Sequence, residues 1–335
     1  MRAYYILPKF ILKLEMPLVR GNYIPQGIFK NADASTIYAA KLRKVEIPIY
    51  ERERIELSDG DFIDLDWSYT PNTKSNKLVI LMHGLAGNTD RPYMKGMARV
   101  FNKNHWDAVA MNFRGCSGEL NRFFRSYHAG ASDDIAEVIT HILSLQKYSK
   151  IALVGFSLGG NMLLKYLGEN RSLPDNIVGA VGISVPCDLS GSLGAINRMR
   201  NFVYSKRFEL NLKQHLFARA EKFPEHIKKE QISACKSLRD IDDLYTSRAH
   251  GYKNASDYYE KTSALNFLSE INRPVLILSA KNDSFLSPEC YPYEIAENSE
   301  NLFLETPNYG GHVGFVTKSS SYYHEKRALE FIESL

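Results

Sequence analysis

The sequence has few cysteines, and none of them has a close partner. Cys116, Cys187, Cys235 and Cys290 lie far apart along 335 residues, with no Cys-x-x-Cys pair and no histidine near enough for a zinc pattern. That spacing argues against a disulfide-framed secreted module and a zinc ribbon, and predicts reduced thiols in a cytoplasmic setting. Long apolar runs are also missing. The mildly apolar stretch from Met1 to Gly21 is broken by Pro8, Lys9, Lys13, Glu15 and Pro17, which fits neither a signal peptide nor an integral membrane span. Peripheral membrane contact stays open. Charge of one sign is scarce: the net charge is +4, but residues 188–240 alone carry eleven Lys/Arg against six Asp/Glu. A local excess of this kind attracts phosphates or lipid headgroups, although a solvated helical surface is its commoner meaning. There is no internal repeat, no low-complexity segment and no Gly-Lys-Ser/Thr phosphate loop. The aromatic residues sit at core-like spacing rather than in a nucleic-acid reading motif, so no nucleic-acid partner is expected.

What is present is an alternation of short apolar runs with amphipathic stretches. Residues 1–50 have several prolines and no strong periodicity, and read as an arm packed over the body. Arg52 to Leu57 and Phe62 to Trp67 flank the turn signal Ser58-Asp59-Gly60-Asp61 and predict an antiparallel hairpin at a sheet edge. Leu78 to Met82, Ala108 to Asn112, Ile151 to Gly155, Ile177 to Val185, Pro274 to Leu278 and Leu302 to Leu304 read as strands, most of them apolar enough to be buried on both faces. Ile135 to Gln146 is amphipathic, with Ser132 or Asp133 as N-cap. Glu289 to Glu297 and Tyr322 to Leu335 complete the helices of the body. From Asp188 to about residue 269 there are no strand-like runs; charged and aromatic residues recur at helical spacing, broken at Pro224 and Gly251. The chain therefore divides into an arm (1–50), an α/β core (51–187 and 270–335) and a helical insertion (188–269). The insertion reads as a cap that covers the site, or as helices covering one sheet face.

The centre of this arrangement is Gly155-Phe156-Ser157-Leu158-Gly159. An apolar strand precedes it and a helix-forming run follows, which is the context a nucleophile elbow requires. The flanking glycines let strand and helix approach closely and raise the Ser157 hydroxyl at a helix N-terminus, where backbone N–H groups can meet an oxyanion. The strand ending at Met82 leads into His83-Gly84-Leu85-Ala86-Gly87, a loop able to offer the Leu85 N–H as a second donor beside that of Leu158. His83 is expected to brace that loop rather than act as a base. Asp283 and His312 follow later strands, giving the order Ser, Asp, His, each just past a strand's C-terminal end. His128 is the rival base and Asp188 the rival acid. In this constellation His312 takes the proton of Ser157 as it attacks an acyl carbonyl, Asp283 holds the imidazole, and no metal or organic cofactor is needed.

Several motifs coincide with one family. His83-Gly-Leu-Ala-Gly87, Asn112-Phe-Arg-Gly-Cys-Ser-Gly118, Tyr127-His-Ala-Gly130 with Asp133 and Asp134, and Gly155-Phe-Ser-Leu-Gly-Gly160 resemble the YheT-like α/β-hydrolases. Gly251-Tyr252, Asp257-Tyr-Tyr259, Ser263, Ile271, Pro274 and Asn282-Asp283 extend the likeness, which spans roughly residues 50 to 316. That group includes bacterial hydrolases, yeast medium-chain ester synthases and mammalian membrane-associated lipid hydrolases. The resemblance implies an α/β-hydrolase fold, a mostly parallel central sheet flanked by helices with a helical cap, and a triad falling on Ser157, Asp283 and His312. It also implies a lipophilic acyl ester or lipid-like substrate. The hydrophobic N-terminal anchor of eukaryotic members has no counterpart here, which favours a bacterial-type chain, and the cap is the part least alike.

The leading expectation is a serine carboxylesterase acting on short- to medium-chain acyl esters. An acyltransferase, in which an alcohol replaces water at the same acyl-enzyme, is the runner-up. A non-catalytic scaffold would be expected to lack a triad member or the oxyanion loop, and all are present in the sequence.

Overall fold

A computed structural model describes residues 17–46, 50–71 and 74–335. The reading of Met1 to Gly21 therefore lies, up to residue 16, outside the described residues. The described residues begin with β1 (Leu18–Val19) and α1 (Ala32–Ile37), then the hairpin β2 (Glu51–Glu56) and β3 (Phe62–Ser68). Next come β4 (Lys77–Met82), α2 (Pro92–Asn102), β5 (Asp107–Asn112), α3 (Ser132–Ser144), β6 (Lys150–Phe156), α4 (Leu158–Gly168) and β7 (Ile177–Ile183). Six helices follow without a strand: α5 (Leu189–Ile196), α6 (Phe202–Lys222), α7 (Lys229–Ala234), α8 (Leu238–Ile241), α9 (Ser247–Ala249) and α10 (Ala255–Thr262). The chain then returns to β8 (Val275–Leu278), α11 (Tyr293–Glu297), β9 (Leu302–Glu305) and α12 (Tyr323–Glu333).

The strands form one sheet in the order β1-β9-β8-β7-β6-β4-β5-β3-β2. Its pairings are parallel except at the hairpin end, where β3 runs antiparallel to both β5 and β2. The unbroken apolar runs follow from this topology, because parallel strands joined by helices are covered on both faces. Leu78, Ile80 and Met82 of β4 pack with Ile135, Val138 and Ile142 of α3 and Leu163 of α4. Val79 and Leu81 point the other way, to Met94, Met97 and Phe101 of α2 and Phe331 of α12. Burying each such side chain contributes about 1.5–3 kcal/mol against the entropy of ordering the chain. The hairpin sits at the sheet edge, as its alternating pattern predicts. Arg52 and Arg54 of β2 each grip the carboxylate directly across on β3, Asp66 and Asp64, at 2.7 Å.

Three details differ from the sequence reading. The segment before residue 50 does more than lie over the body: Leu18 and Val19 pair in parallel with Leu304 and Glu305, adding an edge strand. The N-cap of α3 is Ala131, not Ser132 or Asp133; the Ser132 hydroxyl is engaged by Glu169 at 2.6 Å. The helix expected over Glu289 to Glu297 is split by Pro292 into a 3-10 turn, Pro288–Cys290, and α11. Proline there supplies no N–H to continue the first turn. The expected breaks after α6 and α9 hold, with Pro224 just past Lys222 and Gly251 at φ +78°. Among the described residues no helix is long and apolar enough to cross a membrane.

Candidate active site

β6 ends at Phe156 and α4 begins at Leu158, so Ser157 carries the whole reversal. Its backbone is at φ +51°, ψ −119°, a conformation that costs a non-glycine residue on the order of 1–3 kcal/mol. The neighbours make the turn obligatory. A Cβ on Gly155 would meet the Gly159 carbonyl oxygen at 2.5 Å, and one on Gly159 would overlap the His83 carbonyl and lie 2.7 Å from that of Met82. The start of α4 is thus seated directly on the end of β4.

The structure brings Ser157, Asp283 and His312 together. His312 Nε2 lies 2.9 Å from Ser157 Oγ, and His312 Nδ1 lies 2.8 Å from Asp283 Oδ2. With Nδ1 protonated, the ring donates to the carboxylate and leaves Nε2 to accept from the hydroxyl. The Asp283 side chain is fully buried, and its other oxygen accepts the N–H of Phe285 at 3.0 Å. The loop carrying His312 is fixed at several points. Gly310 and Gly311 have positive φ; the N–H of Gly311 donates to Asn282 Oδ1 and that of Val313 to Ser184 Oγ. The N–H of His312 itself donates to Thr36 Oγ1 at 2.9 Å. The Phe285 ring lies over the imidazole, with centroids 4.5 Å apart. Sequence reading missed Thr36, Ser184 and Phe285. Only Phe285, two residues past Asp283, had a positional signal.

The rivals are engaged elsewhere. Asp188 caps α5 by accepting from the N–H groups of Ser190 and Gly191. His128 is buried, accepts from the Gly130 N–H, and stacks 4.2 Å from His250. Burial, aided by the neighbouring His250, pushes its pKa well below the usual histidine value. His83 braces its loop as expected: its ring bonds the Gly84 carbonyl and accepts the Phe113 N–H. Burial lowers its pKa to about 4, so it stays neutral.

In that loop, backbone donors are nearly all used. The N–H of Gly84 goes to Tyr93, that of Ala86 to Tyr127 and that of Gly87 to the Gly84 carbonyl. The Leu85 N–H has no partner among the described residues, and the Leu158 N–H, at the first position of α4, is one a helix leaves open. A Cβ on Gly84 would stand 3.2 Å from that of Ser157, which places this loop against the serine.

Ser157 and His312 open into a cavity of about 160 Å³, walled by apolar side chains such as Leu85, Leu158, Leu189, Leu193, Phe208 and Leu212. The stretch from Leu189 to Tyr259, with α5, α6, α8 and α10, supplies more than half of the residues around it. Asp242 lies within it, its carboxylate receiving the hydroxyls of Thr246 and Tyr259, each at 2.6 Å. Burial pushes Asp242 up to about 6, opposed by those two hydrogen bonds. Among the described residues no group of three or more His, Cys, Asp or Glu side chains is arranged to hold a metal ion.

Residues 77–319 match the family described as the alpha/beta hydrolase fold. YheT of Escherichia coli (strain K12), whose name marks it as a candidate esterase, is 35% identical over 302 residues, covering 88% of this chain and 87% of that one. The chain belongs to the YheT-like α/β hydrolases. A more distant α/β hydrolase relative, phospholipase ABHD3 of Mus musculus, is 29% identical and covers 90% of this chain and 74% of its own. Among solved structures, the esterase Pf2001 of Pyrococcus furiosus superposes with a TM-score of 0.56 over 95% of this chain and 98% of its own. At 16% identity that likeness speaks for the shared α/β-hydrolase fold alone.

Proposed function

We propose that the protein is a serine carboxylesterase that cleaves lipophilic acyl esters, with Ser157 as nucleophile, His312 as general base and acid, and Asp283 as the group that orients and stabilises the imidazole. The single observation that carries this is the run of two hydrogen bonds through one ring, 2.9 Å to Ser157 Oγ and 2.8 Å to Asp283. His312 Nε2 removes the hydroxyl proton as Oγ attacks the ester carbonyl, and the resulting imidazolium is stabilised by the carboxylate. The tetrahedral oxyanion is received by the N–H groups of Leu85 and Leu158; one such donor is worth about 10²–10³ in rate. Nε2 then returns the proton to the departing alcohol. Water, activated by the same nitrogen, attacks the acyl-enzyme and restores Ser157.

Residues 188–269 act as a cap whose apolar lining receives the acyl chain and excludes water from the intermediate. An ester substrate is also in keeping with the names of the relatives, which include a phospholipase and a monoacylglycerol lipase. The free, buried state of all four cysteines suits the cytoplasmic setting proposed for the protein.

Hydrolysis of p-nitrophenyl esters across acyl lengths, run beside Ser157→Ala, tests the proposal. Expected is turnover with an optimum at short to medium acyl chains, lost by a factor of about 10⁴ or more in the variant. A folded variant that kept its turnover would overturn the mechanism. Repeating the assay with ethanol reads out transfer, since an ethyl ester appears only if the alcohol intercepts the acyl-enzyme.

A further inference from the structure

Helix α6 has two faces with different roles. Phe208, Leu212, His215 and Leu216 line the cavity. Val203, Arg207 and Leu210 fall on the opposite side by helical spacing, with Met199 in the turn just ahead. Met199 is 86% exposed, Val203 75% and Leu210 64%. Beside them stand α1 and the turns around it, where Ile28 is 72% and Leu42 64% exposed. Large apolar side chains held in water over neighbouring elements mark an interaction surface rather than scattered exposure.

Bonds tie the two elements together. The Tyr204 hydroxyl donates to Asp33 Oδ1 at 3.1 Å, and the Arg200 guanidinium lies 3.6 Å from the same carboxylate. Further along, Lys41 sits close enough to Arg207 and Arg91 that, after desolvation, their like charges lower its pKa. The same elements reach the catalytic residues: Thr36 of α1 holds the backbone of His312, and Tyr204 of α6 packs at 4.8 Å on Phe285, which covers the His312 ring.

The charge of this face is predominantly positive. Residues 27–42 and 198–210 carry Lys30, Lys41, Arg198, Arg200, Lys206 and Arg207 against Asp33 and Glu209. Asp33 is shared with Arg200, and Glu209 is buried and taken by Lys206 and Lys213. What is left outward is an apolar patch rimmed by unneutralised cations, the pattern that sinks into an acyl boundary while its rim meets anionic headgroups.

We propose that this face docks on the surface of an anionic phospholipid bilayer, bringing α1 and α6, and with them the catalytic residues they contact, close to the membrane. Docking is a property of the surface and does not depend on the esterase reading.

The test is co-sedimentation of the full chain with vesicles of pure phosphatidylcholine, or of equal parts phosphatidylcholine and phosphatidylglycerol. Expected is binding to the anionic vesicles that weakens as salt screens the rim, and that falls by about tenfold or more in Val203→Glu/Leu210→Glu and in Arg207→Glu. Turnover of a water-soluble short-chain ester stays unchanged in all of them, which also shows that they are folded. Equal binding to both vesicle types, or binding that survives these substitutions, overturns the proposal. So does a dimer without lipid that the same substitutions dissolve and vesicles do not displace, because the face would then belong to a second copy. Ser157→Ala is expected to bind vesicles like the unaltered chain. Its hydrolytic result therefore judges the mechanism separately from the docking.

Discussion

The backbone N–H of His312 donates to the hydroxyl of Thr36 at 2.9 Å, joining two residues 276 positions apart in the chain. Thr36 in turn donates to the Ala32 carbonyl one helical turn back, so the position of the imidazole is referred to α1. Replacing Thr36 by valine leaves the His312 N–H without its acceptor at a cost of about 1–3 kcal/mol. The expected kinetic result is a fall in kcat of about tenfold with KM nearly unchanged, because the ring and not the acyl pocket is displaced. Thr36→Ser keeps the hydroxyl and is expected to restore most of the rate. Steady-state kinetics of the two variants on one soluble ester make the comparison.

Ser157 holds a backbone conformation that suits glycine. Ser157→Gly is expected to abolish turnover and to raise the unfolding free energy by about 1 kcal/mol, the relief of strain exceeding the entropy gained by the unfolded chain. Denaturant titration of the two proteins at one pH measures it; equal or lower stability in the glycine variant would mean that the turn stores no strain.

Arg114 is a buried cation serving several acids. It makes ion pairs with Asp134 and Asp59 at 2.8 Å, and Asp61 lies 3.5 Å away. Burial, with a smaller push from the Asp59 charge, raises the Asp134 pKa despite this partner. Arg114→Met is expected to cost about 3–5 kcal/mol by stranding a buried carboxylate, and Arg114→Met/Asp134→Leu to recover a large part of it. The unfolding midpoints of the single and double variants decide the matter.

Asp242 gives the fold a pH dependence of definite sign. Its pKa is raised by burial from 3.8 to about 6, so the folded state holds this proton more tightly than the unfolded state. The stability it contributes is present below about pH 4 and is lost as pH rises through 6. In Asp242→Asn that loss is absent. The variant is expected to gain about 2–3 kcal/mol on the unaltered protein between pH 4 and pH 7, whatever constant offset the changed hydrogen bonds to Thr246 and Tyr259 introduce. Unfolding curves at both pH values, taken as differences, isolate the effect.

The sheet was legible because its central strands are buried on both faces. Leu78–Met82 and Ile177–Ile183 must be apolar throughout, and few other environments demand that. Ser157, Asp283 and His312 were legible for a related reason: each lies in the turn or loop that leaves the C-terminal end of such a strand, and the elbow glycines are required by backbone contacts that no side chain can relieve. Thr36 left no such trace. A single hydroxyl bonded to a distant N–H imposes no periodicity on its neighbours, and a strand of two residues such as Leu18–Val19 is too short to show one. Ser132 has the residue type of an N-cap, yet its hydroxyl goes to Glu169, a partner set by tertiary packing and invisible in local sequence. The helices between β7 and β8 announced themselves by spacing, but which of their faces lines the cavity depends on how they seat against the strand ends.

The alternating Glu and Arg of β2 bear on how the protein behaves among its own copies. An outer strand offers unpaired backbone donors and acceptors to any extended segment that drifts alongside. Here such a segment would meet Glu51, Arg52, Glu53, Arg54 and Glu56 before it met the backbone, and the arginines are already committed to Asp66 and Asp64. Sheet growth past this edge would have to bury those charges or break those pairs, so crowding this flank leads to repulsion rather than to a longer sheet.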